Sequence, residues 1–449
     1  MQKTLIIFAA AVAAFALAAC DKALVENAPE TVRSSGDIKI NINVADFGGA
    51  DTKAVMKTAW ANGDQISIWY DSNVQTDPDL VIKYDGTAEK WEVDNTATLS
   101  GNTPSGTILK AVYSNGVIVA ANGINYTYDG SELSANINSW THLAEIQVVV
   151  SGLTSADAAN YTLVCDKFTP LSGNGYTVGS DAITVSAGTK GAAATGIANT
   201  DGVAFVFATN DSYGSSADYS FTLSASGKTM FYTAGSKSVT KNTSKVVALK
   251  MQDTEFHEGV QLWADGPYWA TTNIGATSET DYGYYFAWGY TDGYVRNDSN
   301  DGWVKASDSS SSITFTYDGF SDYQTHTYSD MAAANWGTAW NVPEKTDFDN
   351  LLSNCTIEYI TTGTIGIKVT GNTDGYTDKS IFLPAAGYGG SKSQLEPGVY
   401  GYYWSSTQSS TPYSYRLYFQ PSHSTSGVSG TTSYGRYYGF SVRPVHSSL

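Results

Sequence analysis

Cysteine is nearly missing from this chain: three occur in 449 residues, and one of them, Cys20, stands directly behind an apolar leader. The other two, Cys165 and Cys355, are far apart and fall in different expected units, so a disulfide framework is excluded and buried free thiols are expected. Basic residues are scarce as well. Lys and Arg number 25 against 43 Asp and Glu, a formal net charge of -18. No basic run exists to neutralise phosphates, which argues against a nucleic-acid partner. The histidines, His142, His257, His326, His423 and His446, are scattered and form no His-x-x-x-His pair. Gly427-Val428-Ser429-Gly430 misses the nucleophile-elbow spacing by one residue. Gly191 and Gly196 lie among small residues without the Lys-Ser/Thr end of a phosphate loop. No carboxylate pair stands out from the acidic background as a glycosidase pair. The chain is therefore expected not to be an enzyme and to need no cofactor.

What is present begins with Lys3, then the apolar run Leu5 to Ala16, then Leu17-Ala18-Ala19-Cys20. That run has signal-peptide length and is too short for a permanent span. Small residues before a cysteine suit cleavage at a lipidated thiol, so residues 1–19 are expected to be removed and Cys20 to carry the membrane anchor. No later stretch approaches the length of a transmembrane helix. Residues 20–35 follow as a lipidated leader or a removable strand, with Arg33 alone between Thr31-Val32 and Ser34-Ser35.

Beyond the leader the chain reads as mostly β. Ile38, Ile40, Ile42 and Val44 alternate with polar residues, the period-2 mark of a half-buried strand. Ile66, Ile68 and Tyr70 share a face after the Gly63-Asp64 turn, and further strands are expected at Leu80 to Tyr84, Lys90 to Val93 and Thr107 to Tyr113. These short strands, separated by Gly, Asn, Asp and Pro clusters, define a first β-sandwich over 36–138. A second sandwich over 139–252 rests on segments such as Glu145 to Val150, Val203 to Ala208, Tyr219 to Leu223 and Lys245 to Leu249. Residues 253–449 have another texture, dense in Tyr, Trp and Gly. One helix is expected after Pro343, where early acids and the spacing Phe348, Leu351, Leu352 fit an amphipathic turn. Strands are expected near Thr364 to Val369, Ser380 to Leu383, Ser414 to Phe419 and Tyr437 to Arg443. Aromatic packing must hold the remaining irregular backbone.

Aromatic side chains offer flat apolar faces to sugars or protein partners at low entropic cost. Trp263, Trp269, Trp288, Trp340 and Trp404 read as core, while Trp303, Tyr290, Tyr294, Tyr400, Tyr413 and Tyr434 fall in less constrained segments and are ligand-binding candidates. Asp292, Asp298 and Asp301 lie close enough in sequence to hold calcium, the alternative being a turn-rich polar loop with no metal.

Two resemblances sharpen these readings. Leu17 to Cys20, Trp60-Ala61-Asn62-Gly63-Asp64-Gln65-Ile66, Leu109-Lys110-Ala111-Val112-Tyr113, Val148 to Leu153 and Ser244 to Lys250 together resemble the fimbrillin family of Bacteroidales lipoproteins, built from two transthyretin-like β-sandwiches. The last third resembles the major paralogous domain first noted in Fibrobacter, through Leu262-Trp263-Ala264, Tyr268 to Ala276, Tyr282 to Gly289, Trp340 to Glu344, Ile381 to Tyr388, Gly401 to Thr407 and Arg436 to Val445. That domain is similar to the C-type-lectin-like α+β fold shared with formylglycine-generating enzymes. Cys355 is the only cysteine there, so the cysteine pair of those enzymes is missing, and so are the Glu-Pro-Asn and Gln-Pro-Asp calcium sequences of true C-type lectins.

The resemblances imply an outer-membrane, cell-surface or fimbrial location, and an adhesion subunit at a fimbrial tip. Its partners are expected to be a stalk or adaptor subunit, joined by strand donation after cleavage at Arg33, and a host or bacterial surface protein or glycan. The membrane is reached through the lipid anchor. The alternative is a stand-alone surface lipoprotein that binds glycan for nutrient capture.

Overall fold

The structure is a computed structural model; it describes residues 39–44, 59–70, 77–97, 103–114, 118–235, 237–240, 246–252, 255–298, 302–420 and 428–447. Cys20, Arg33 and Asp301 lie outside the described residues. The chain is mostly β, and among the described residues its two α-helices, Met331–Trp336 and Lys345–Asn354, both lie in the last third.

The first unit is one folded-over sheet in the order Lys39–Val44, Glu132–Ile137, Val119–Tyr128, Ile108–Tyr113, Gln65–Trp69, Leu80–Asp85, Lys90–Val93. Val119–Tyr128 makes the fold. Its first part pairs with Ile108–Tyr113 and its last three residues with Glu132–Ile137, so a single strand serves both layers. Alternation decides which side chains enter: Ile66 and Ile68 are fully buried, with Leu80, Ile82, Leu109, Tyr113 and Leu133 around them. The Gly63-Asp64 turn is locked where it was expected. Gly63 takes φ +91°, a region that favours glycine, and Asp64 accepts from the Tyr113 hydroxyl at 3.0 Å and from Ala61 N–H at 2.7 Å.

The second unit is a sandwich of two sheets. One runs Thr169–Pro170, Gly202–Thr209, Ala144–Ser151, Val246–Gln252; the other begins Ala193–Thr195, Thr162–Cys165, Tyr219–Ala225, Lys228–Ala234. Cys165 is free and buried between them, and burial pushes its thiol up to about 12, so it packs as a small hydrophobe. A hairpin of this unit, Gly175–Val178 with Ile183–Ser186, leans on the first unit. There Lys110 Nζ donates to the carbonyls of Gly179 at 2.6 Å and Ser180 at 3.0 Å, and Ile183 packs on Trp69, Val112 and Ala120.

The second sheet does not stop at the end of the second unit. Lys228–Ala234 pairs with His257–Gln261, which pairs with Tyr268–Ala270, then Val445–His446, then Trp340–Asn341. One sheet therefore spans residue 252, where the composition changes. Rings close the seam: Phe231 stacks on His446 at 4.1 Å and His257 on Trp336 at 3.8 Å. Gly337, at φ +100°, ends the helix Met331–Trp336 against the side chain of Thr233, where an added Cβ would lie 2.8 Å from Thr233 Cβ.

In the last third the helix Lys345–Asn354 follows Pro343 as expected, with Asp347 accepting from Glu344 N–H at 2.8 Å and Phe348 and Leu351 buried. A second helix, Met331–Trp336, was not foreseen; Asp330 caps it, accepting from Ala332 and Ala333 N–H at 2.9 Å. The expected strand Tyr437 to Arg443 is instead an extended segment touching Gly389, Phe286 and Tyr403 by single bridges. It is pinned by Arg443, fully buried, whose three nitrogens donate to Asn273 Oδ1 at 2.9 Å, Ala270 O at 3.0 Å and Phe382 O at 2.9 Å. Burial lowers its guanidinium to about 10. Indole and phenol groups do similar work: Trp288 Nε1 donates to Ser405 O at 2.7 Å, Trp404 Nε1 to Phe286 O at 2.8 Å and Tyr403 OH to Pro384 O at 2.7 Å.

Candidate functional site

The three-stranded sheet Gly401–Ser410, Tyr413–Phe419, Val428–Gly435 has two unlike faces. On one, Leu417 and Phe419 join the core beneath the helix Lys345–Asn354. The other carries Ser414, Arg416 and Tyr418, because alternate residues of a strand point to opposite sides. Register places Tyr402 opposite Tyr418 and Tyr434 opposite Ser414. The Arg416 guanidinium ends up among rings, 4.1 Å from Tyr434, 4.5 Å from Tyr402, 5.2 Å from Tyr418 and 5.4 Å from Phe440.

From this centre tyrosines run outward in contact. Tyr434 meets Tyr438 at 4.7 Å, Tyr438 meets Tyr437 at 4.5 Å, Tyr437 meets Tyr323 at 5.2 Å, and Tyr323 meets Tyr317 at 5.4 Å. On the other side Tyr400 stacks on Tyr418 at 5.6 Å. Tyr317 is 58% exposed and Tyr413 is 48% exposed. Burial first of all raises the hydroxyls of Tyr402, Tyr418 and Tyr434, and Tyr388 is pushed up to about 12. At neutral pH the face therefore presents uncharged hydroxyls able to donate and accept. Tyr402 OH donates to Glu396 Oε2 at 3.0 Å, and Glu396 has φ +58°, a backbone region costly for a non-glycine residue.

The expected ligand residues divide. Tyr400 and Tyr434 belong to this face; Tyr413, one residue out of phase with Ser414, stands exposed at the start of its strand on the side of Leu417 and Phe419. Trp303 and Tyr294 do not: Trp303 is fully buried against Tyr285 and Phe315, and Tyr294 packs on Phe315 and Phe320. The segment read as loop forms the antiparallel strands Tyr294–Asn297 and Gly302–Lys305, and both rings point into a core cluster. Tyr290 is half-buried and committed, stacked on His326 at 3.7 Å with its hydroxyl on Asp322. The acidic loop is also resolved into pairs. Asp292 meets Lys305 at 2.7 Å and Asp298 meets Arg296 at 3.4 Å, one at each end of the strand Tyr294–Asn297. At about 3.3 Å per residue that strand holds them too far apart to share an ion. Among the described residues no group of three or more His, Cys, Asp or Glu is placed to hold a metal.

Arg416, Tyr402, Tyr418, Tyr438 and Glu396 were not foreseen. The usable signal was Ser414, Arg416 and Tyr418 in one phase of an expected strand. A separate cleft of about 430 Å³ lies on the same third of the chain, lined by Glu279, Thr280, Thr364, Lys368, Ser380 and Phe382.

Residues 371–445, which include the tyrosine-bearing sheet and Arg443, match the family model of a domain of unknown function, DUF8237. No curated protein matches the chain. Solved structures similar to it include a candidate cell adhesion protein from Bacteroides uniformis ATCC 8492, at 14% identity and TM-score 0.29, covering 48% of this chain and 95% of that one. Another is a fimbrial protein from Bacteroides ovatus ATCC 8483, at 10% identity and TM-score 0.27, covering 91% of this chain and 99% of that one. A candidate cell adhesion protein from the same strain has 13% identity and TM-score 0.28 over 50% of this chain and 96% of its own.

Proposed function

We propose that the chain is a cell-surface adhesion subunit, placed at a fimbrial tip, that engages its ligand through the tyrosine face of the last third. The observation that carries this reading is the path of contacting rings from Tyr317 to Tyr400, exposed at Tyr317, half-buried at Tyr437, Tyr438, Tyr434, Tyr418 and Tyr400 and anchored by the buried Tyr323 and Tyr402, borne on a body joined to the second sandwich by a continuous sheet. Adhesion under load needs the binding face to be coupled rigidly to the shaft, and a shared ladder with stacked rings supplies that coupling. The front sandwich is the end that receives a neighbour. Lys39–Val44 and Lys90–Val93 are the two end strands of its sheet, and an end strand offers unpaired backbone groups to an added strand. Cleavage at Arg33 is the step that frees this site, with the lipid on Cys20 holding the uncut form at the membrane.

An array of glycans and matrix proteins probed with the mature chain tests the adhesion claim. Tyr434→Ala and Tyr317→Ala are expected to lose the hit, and a hit indifferent to both removes the site. The shaft claim has its own test: protein cut at Arg33 is expected to bind a peptide of a stalk subunit's terminal strand, while uncut and Arg33→Ala protein are not. Equal binding by all three forms defeats it.

A further inference from the structure

Three buried arginines in the last third invite comparison. Arg443 spends its donors on three oxygens, and Arg436 donates to Thr411 O at 3.0 Å and His326 O at 2.9 Å while lying over Trp288. Arg416 differs. It is 8% exposed, and among the described residues its Nε and Nη1 have no hydrogen-bond acceptor. Two residues earlier on the same side of the strand, Ser414 Oγ is fully buried and equally unpartnered. Ring faces stabilise a cation but accept no N–H in the way an oxygen does, so a buried guanidinium held by rings and the Tyr402 hydroxyl, with Nε and Nη1 unmet, is incompletely satisfied.

The geometry points to Ser414 and Arg416 as a recognition pair for the carboxylate of an acidic sugar, a uronic or sialic-type residue at the end of a glycan. This deepens the adhesion reading of the tyrosine face and rests on it. A carboxylate offers only acceptors, and the pair offers only unmet donors on the guanidinium, with a hydroxyl beside it. The half-buried rings of Tyr434 and Tyr438 beside the cation supply flat faces for the C–H surface of a pyranose, with neutral hydroxyls for its alcohols, while the buried Tyr402 backs the guanidinium. A chain of net charge -18 repels extended polyanions, which favours a ligand with one carboxylate among neutral hydroxyls over nucleic acid or a strongly acidic peptide. Tyr434, half-buried over the guanidinium, must turn aside as the carboxylate enters, a side-chain motion and not a refolding. Glu396, held on the Tyr402 hydroxyl, is a like charge beside the incoming group and sets a ceiling on affinity.

The test uses the full mature chain against glycans ending in a uronic or sialic acid, the same glycans with the carboxyl reduced to an alcohol, and acidic peptides. The acidic glycans are expected to bind, and reduction is expected to weaken binding about tenfold or more. Arg416→Met abolishes the preference for acid over alcohol, Ser414→Ala reduces it, and Glu396→Gln strengthens binding of the acid. If Arg416→Met does not fold, the Glu396→Gln gain and the carboxyl-reduced glycans decide alone. Equal binding of acid and alcohol overturns the inference, as does a folded Arg416→Met that keeps the preference or capture of acidic peptides in place of glycans. Binding of neutral glycans that depends on Tyr434 but not on Arg416 overturns it while leaving the adhesion reading intact. Binding that ignores Tyr434 and Tyr317 removes both.

Discussion

In the first sandwich, Ile66, Ile68, Leu80 and Ile82 reach the core because their strands alternate, and the polar backbone is satisfied by the ladder itself. In the last third, Trp288, Trp404 and Arg443 reach the core while donating to carbonyls where the ladders break or end: Ser405 O at the bulge of Gly401–Ser410, Phe286 O at a single bridge and Ala270 O at the end of Tyr268–Ala270. The same requirement, that buried N–H and C=O groups be paired, is thus met by secondary structure at one end of the molecule and by polar side chains at the other. An irregular body built in this way frees strand faces for display.

Removing Arg443 presses hardest on that contrast. Arg443→Met deletes three hydrogen bonds from a charged donor, each worth roughly 1.5–3 kcal/mol, and strands three acceptors, so a loss of more than about 4 kcal/mol is expected in denaturant titration. Arg443→Lys is not expected to rescue it, because one ammonium cannot replace a planar fork aimed three ways. A loss below 1 kcal/mol would mean the side-chain ties are ornament.

Next comes the seam. Phe231, on a strand of the second sandwich, packs on Tyr268, Trp340 and His446. Phe231→Ala is expected to cost about 3–4 kcal/mol and to split one calorimetric transition of the second unit and last third into two. A single transition that merely moves down in temperature would show that the sheet, without the rings, keeps the bodies coupled.

Acid addresses the same seam with a smaller effect. Burial holds His257 down at about 4, against an ordinary value of 6.5. The unfolded chain therefore takes up this proton first, so stability present above pH 6.5 is lost as pH falls through 4, by at most about 3 kcal/mol. His446 and His142 are lowered by burial with the same sign. Glu145, pushed up to about 7 by burial, has the opposite sign: its contribution is greatest below 4.5 and falls as pH rises through 7. His257→Phe keeps a ring on Trp336 and is expected to flatten the acid side of the melting-temperature profile. An unchanged profile would assign the acid sensitivity elsewhere. Smallest of all, Ile66→Val in the first sandwich should cost about 0.5–1.5 kcal/mol, a cavity effect with no loss of polar ties.

The same contrast explains what could be read beforehand. Period-2 patterns gave Gln65–Trp69, Leu80–Asp85 and Lys90–Val93, and caps and spacing gave Lys345–Asn354, because those signals are local. The continuation of Lys228–Ala234 into His257–Gln261 was invisible, since sequence does not say which strand edge receives the next strand. Trp303 misled for a related reason: Asn, Asp and Gly around it signal turns, yet it stands on one of two paired strands, Tyr294–Asn297 and Gly302–Lys305, and its ring is buried. At the site, Tyr400 and Tyr434 stood out as aromatics outside the tight motifs. Arg416 did not, because the meaning of a lone arginine depends on which partners are missing around it.

The claim at the centre of this account is that ligand meets the tyrosine face, and hydroxyl-radical footprinting of the mature chain with and without its array ligand tests it most directly. Bound ligand is predicted to shield Tyr317, Tyr400 and Tyr434 from oxidation while leaving Tyr176, on the hairpin of the second unit, unchanged. Shielding confined to the cleft beside Lys368 and Phe382, or to the front sandwiches, with Tyr434 and Tyr317 oxidised as before, contradicts it.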